Sequence, residues 1–105
     1  MNKPKIANYQ ARGYVEEHRP FIANNIFAEW TDDDSRYVVY SYGKHWPLFI
    51  WDAQTQRWYA NVSKYSVTTS KHRSTTHPHI PNSTMTYLHV EDMIKVVDGG
   101  ITAIV

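Results

Sequence analysis

The chain has 105 residues, a formal net charge of +1, an apolar share of 42 % and no cysteine, which excludes a disulfide scaffold, a thiolate site and any strong global attraction to nucleic acid or acidic membranes. No apolar run reaches the ~20 residues needed to cross a bilayer, and the Met-Asn-Lys-Pro-Lys-Ile start has no apolar stretch behind its charge, so neither a membrane span nor a secretory signal is expected. What these bounds leave is a single domain over 1–105 with one modest core, suited to a reducing cytoplasm.

Residues 1–25 show no clean periodicity. Lys5 to Glu17 has helical potential, but Gly13 weakens it and Pro20 ends it, so an irregular N-terminal arm is predicted, docking through Tyr14, Val15, Phe21 and Ile22. From Ile26 the pattern turns to β. Ile26 to Trp30, the turn cluster Asp32-Asp-Asp-Ser35 and the alternating Arg36 to Tyr42 read as a hairpin. Leu48 to Trp51, the polar Asp52 to Gln56 and Arg57 to Val62 read as a second hairpin, extending the meander. The segment 63–83 is polar and closes on Pro78 and Pro81. It is predicted as a long loop, with a short edge strand near Tyr65 to Thr69, and loops of that length inside compact domains are often functional. Thr84 to Leu88 reads as a last strand of this group. Val90, Met93, Ile94 and Val97 then follow helical spacing, Glu91 and Asp92 suit the first turn, and Gly99-Gly100 supplies the C-cap. Ile101 to Val105 reads as a docked final strand.

The predicted class is α+β: a twisted antiparallel β-meander of about four to six strands with one short C-terminal helix packed on it. The expected core is Ile26, Val38, Tyr40, Leu48, Ile50, Trp58, Val62, Leu88, Met93, Ile94 and Val97. Nine of the fifteen aromatics fall between Tyr37 and Tyr65. One sheet face should bury its share of them. The other either exposes Tyr37, Phe49, Trp51 or Trp58 as a partner surface or is covered by the arm or the helix.

Charge is distributed unevenly. Residues 1–52 carry seven acids and six cations, whereas 53–90 carry four cations and no acid. The centre of that stretch is rich in hydroxyls, cations and imidazoles. Lys64, Ser66, Thr68, Thr69, Ser70, Lys71, His72 and Arg73 are therefore the candidate phosphate-binding set, hydroxyls and amides donating hydrogen bonds while Lys and Arg supply potential. His45 and His72 are the candidate acid and base should the chain cleave phosphodiesters without metal. His77 and His79 share a face on extended backbone, but no cysteine or nearby acid completes a metal shell, so no metal is expected. Asp32, Asp33 and Asp34 lack the spaced ligands of a calcium loop and read as a solvated turn. There is no Gly-rich phosphate loop or nucleophile elbow, and no cofactor is expected.

The strings Tyr40-Ser-Tyr-Gly-Lys-His-Trp-Pro47, Trp58-Tyr59-Ala-Asn61 and Lys64-Tyr-Ser-Val-Thr-Thr-Ser-Lys-His72 lie downstream of Ala11-Arg-Gly-Tyr-Val15 and Pro20-Phe21. Together with the closing Gly-Gly-Ile, they resemble a family of small bacteriophage and mobile-element proteins of unknown function, over the chain from about residue 11. The resemblance implies a virus-encoded accessory protein in the host bacterial cytoplasm and brings no catalytic residues with it. Three functions are compatible with these observations. The first is binding of nucleic acid or another phosphate-bearing ligand through the basic Ser/Thr/His segment. The second is inhibition of a host defence or transcription complex by protein binding, of the anti-restriction or anti-CRISPR type. The third is a small His-dependent nuclease.

Overall fold

The computed structural model describes residues 3–63, 67–81 and 84–100. A 3-10 turn, Asn8–Gln10, leads into α1 (Ala11–Glu16), then β1 (Phe21–Ala23), β2 (Ile26–Trp30), β3 (Arg36–Ser41), β4 (Pro47–Asp52), β5 (Arg57–Asn61), α2 (Val67–Thr76), β6 (Met85–Leu88) and α3 (Val90–Gly99). The strands form one six-stranded sheet in sequence order. The α+β class, the meander and the packed C-terminal helix are as the residue pattern predicts. The hairpins pair Ala28 with Val39 and Ile50 with Tyr59, and β1 to β5 are antiparallel neighbours throughout.

The sixth strand makes the sheet mixed, because β6 runs parallel to β5. A parallel pair needs a crossover of a dozen or more residues, usually helical. That geometric demand corrects the expected long loop: residues 67–76 are the crossover helix α2. It also removes the edge strand expected near Tyr65 to Thr69, since Val67 onward is helical; Tyr65 and Ser66 lie outside the described residues.

The arm is more regular than its sequence suggests. Ala11 and Val15, one helical turn apart, are both buried on the sheet, and this tertiary burial carries α1 through Gly13. Ahead of it, Ile6 N donates to Ile22 O and Ile22 N to Pro4 O, at 2.9 and 2.8 Å, so the arm covers the outer edge of β1.

Alternation along β3 divides the core between two faces. Tyr37 and Val39 join Phe21, Ile26, Ala28, Phe49, Trp58 and Ala60 on the face covered by α1. Val38 and Tyr40 join Ile50, Tyr59, Met93 and Val96 on the face covered by α3. The register slips between Val39 and Tyr40, which pair with Phe49 and Pro47. Leu48 is the extra residue, and the bulge lets Leu48 and Phe49 both enter the first cluster. Both faces being covered, Tyr37, Phe49 and Trp58 are buried and Trp51 is half-buried, so of the two alternatives for the aromatic face it is the covered one that the structure shows. Of the expected core, Val62, Leu88 and Val97 are only partly buried, and Ile94 is 38 % exposed. α3 is rotated so that Val96 is buried where Ile94 was expected. The strand expected over Ile101 to Val105 lies outside the described residues.

Candidate anion-binding face

The candidate residues do not share one surface. Lys64 and Ser66 lie outside the described residues. Thr68 and Thr69 fall in the first turn of α2. Ser70, Lys71 and Ser74 are exposed and, at positions i, i+1 and i+4, form the outer face of the helix. His72 points the other way. It is 6 % exposed, and its Nδ1 is 2.8 Å from the Oγ of fully buried Ser41, beside the ring of Tyr42. Thr76, one turn on, is also buried and donates to the His72 carbonyl at 2.7 Å. The inner face of α2 thus includes a histidine seated on a buried serine and a buried threonine, so the usual apolar stripe of a docked helix does not mark it.

The cations serve partly as tethers. Arg73 donates from one terminal nitrogen to the Asn61 carbonyl at 2.8 Å, fixing α2 to the end of β5. Arg12, from α1, donates through Nε to the His77 carbonyl at 2.9 Å and through Nη2 to the Ser74 carbonyl at 2.6 Å. Those carbonyls are at the C-terminal end of α2, where orphan acceptors and the dipole favour a cation. These partners are neutral, so neither guanidinium is neutralised. The ion pairs of the described residues, Lys3 and Lys44 to Glu29 and Arg19 to Glu17, include none of Arg12, Lys71 and Arg73.

The resulting potential is felt at His77. Its ring packs edge-on against Phe49, 5.5 Å between centroids. Burial first, then the charges of His79, Arg12 and Arg73, depress its pKa below the usual imidazole value, with no carboxylate acting in the opposite sense. Arg12 escapes sequence reasoning because its partners are 62 and 65 residues away and nothing local marks them.

His45 and His72 do not form an acid–base pair on a common recess. His45 is exposed on the β3–β4 turn and packs back on Gly43, where an added Cβ would lie 3.0 Å from its Nδ1. His72 is turned into the protein, and burial lowers its pKa. The small recess at this end of the sheet is lined by Trp46, Leu48, Asn61, Ser63, Ser70 and Arg73, and by neither histidine. His77 Nδ1 accepts the backbone N–H of His79 at 3.1 Å. Among the described residues no three His, Asp or Glu side chains stand close enough to share a metal ion.

The Asp32–Asp34 segment is the β2–β3 turn. Asp33 accepts from Ser35 Oγ at 2.7 Å, Thr31 Oγ1 at 2.8 Å and Ser35 N at 3.2 Å, which hold its pKa at about 2. This is a local Asx-type turn. No helix of the described residues is long and apolar enough to cross a membrane. Comparison of the chain with known protein families, curated proteins and solved structures finds no match.

Proposed function

We propose that this is a non-catalytic accessory protein of the bacteriophage kind, acting in the host cytoplasm, which binds nucleic acid or another phosphate-bearing polymer along the outer face of α2. The observation that carries this proposal is the convergence of Arg12, Arg73 and His79 around His77 without an opposing carboxylate. Lys71, Ser70 and Ser74 continue the same helix outward. A helix face of this kind offers charge and hydroxyl donors to a phosphate backbone without reading base sequence.

The protein-inhibitor alternative has less support. Among the described residues the exposed large apolar side chains, Tyr9, Ile22, Tyr42, Tyr87 and Ile94, come from five separate parts of the chain. The nuclease alternative has less again, because His72 is committed to Ser41.

Backbone NMR during titration with a single-stranded oligonucleotide at low salt tests the proposal. Expected shifts map to Ser70, Lys71, Arg73 and Ser74, with Arg12 following. Shifts confined to the β2–β3 turn, or none, would refute it.

A further inference from the structure

The parallel pair of the sheet ends in a fork. β5 feeds α2, which seats His72 on Ser41 and leads into His77 on Phe49, on the face shared with α1. β6 feeds α3, which packs on the opposite face. Asn61 and Leu88 are partners at the last step of the two strands, and beyond them the chain leaves in opposite directions. Such divergence opens a crevice at the carboxyl ends of parallel strands, the usual place for a ligand in α/β sheets.

This crevice is furnished with hydrogen-bond donors. Arg73 reaches it from α2 and spends Nη1 on the Asn61 carbonyl at 2.8 Å. Its Nε and Nη2 have no partner among the described residues, and no carboxylate pairs with it there. Ser63, two residues past the end of β5, is held by its own N–H on Asn61 Oδ1 at 2.8 Å. Its Oγ accepts the Val90 N–H at 3.0 Å and lies 3.3 Å from His89 Nδ1, which ties the loop after β5 to the start of α3. Ser70 is exposed and three residues before Arg73, so the two are neighbours on α2. Arg73, Ser63 and Ser70 line one recess, which Leu48 and Asn61, each 1 % exposed, close on the protein side. Among the described residues no carboxylate lines it; Glu91 and Asp92, in the first turn of α3, are not part of its wall.

Shape decides which phosphate enters. The outer face of a helix is convex, and a strand can run past it. A recess closed on its inner side admits only an end. A terminal phosphomonoester brings a second negative charge and a third free oxygen, which suits a guanidinium with an open N–H edge and hydroxyls on two different elements. We infer that this recess holds the terminal phosphomonoester of a nucleic-acid strand whose internal phosphates lie along α2, an inference that rests on the reading of the α2 face given above. Arg73 donates from Nε and Nη2, and the Ser63 and Ser70 hydroxyls complete the grip.

The test is fluorescence anisotropy of the full chain with one internally labelled oligonucleotide carrying a phosphate at its 5′ end, at its 3′ end or at neither. One phosphorylated end should bind about tenfold tighter than the hydroxyl-ended strand, the worth of a charge-assisted hydrogen bond. Ser63→Ala should bring that ratio close to one. Arg73→Lys, which keeps the charge and loses the fork, should do the same and serves if Ser63→Ala fails to fold. Lys71→Ala should weaken every strand and keep the ratio. Equal binding of all three strands by the parent would overturn this inference and leave the α2 face standing, whereas binding of none would overturn both. A ratio retained in both Ser63→Ala and Arg73→Lys would overturn it too. So would adenosine monophosphate binding as tightly as the phosphorylated strand, which would assign the recess to a free nucleotide.

Discussion

Replacing Ser41 by alanine probes what holds α2 on the sheet. Ser41 is fully buried at the end of β3, and its Oγ is 2.8 Å from Nδ1 of His72. Alanine fits the space, so little packing is lost. What remains is the nitrogen of a largely buried imidazole facing a methyl group. Leaving a buried polar group unsatisfied costs about 1–3 kcal/mol. For a domain near this size each kcal/mol moves the melting temperature by about 4–8 °C, so Ser41→Ala should melt roughly 10 °C below the parent. Ser74→Ala, on the exposed face of the same helix, should stay within about 0.5 kcal/mol. Thermal unfolding followed by circular dichroism gives the shift, and amide exchange shows whether protection is lost first in α2. A melting temperature within about 2 °C of the parent, with α2 amides still protected, would refute the claim that this polar contact anchors the helix.

Three further outcomes follow from the same geometry. Burial lowers the pKa of His18 and His72, and burial with neighbouring cations lowers that of His77. The unfolded chain therefore binds protons first, and stability present above about pH 6.5 is lost as pH falls through the lower folded values. Urea midpoints should drop between about pH 7.5 and pH 5, and an unchanged or rising midpoint would contradict the assignment. Gly100→Ala should destabilise by about 1–2 kcal/mol, because φ is +72° there and a Cβ would lie 3.1 Å from an Arg36 terminal nitrogen. Gly13→Ala should act in the opposite sense, by about 0.5–1 kcal/mol, since nothing lies within 4 Å of its Cβ position on α1. Denaturant titration of each variant decides both signs.

The meander was legible because its information is local. Alternation from Ile26 to Ser41, the Asp-rich turn and the paired apolar runs of β4 and β5 each specify strand and register within a few residues. The crossover was not legible. Val67 to Thr76 is Ser, Thr, His and cation with a single apolar residue, low in helix propensity and without an apolar stripe. It is helical because β6 must return parallel to β5 and because His72 meets Ser41 across 31 positions. The arm was misjudged for a related reason: Ala11 and Val15 acquire their partners only once the sheet exists. Of the candidate site, the absence of acid was readable, and in the fold no carboxylate bears on His77. The inward turn of His72 and the arrival of Arg12 were not, since both depend on contacts distant in sequence.

The central claim is that the outer face of α2 grips phosphates, and its most direct test is the salt dependence of oligonucleotide binding to the parent and to Lys71→Ala. Lys71 is exposed, and among the described residues it has no ion pair, so its loss should not disturb the fold. Fluorescence anisotropy across a range of salt should show log affinity falling linearly with log salt in the parent. In Lys71→Ala the slope should be shallower by about one, with affinity reduced equally for every sequence tested. Identical slopes for the two proteins, or binding indifferent to salt, would contradict the account.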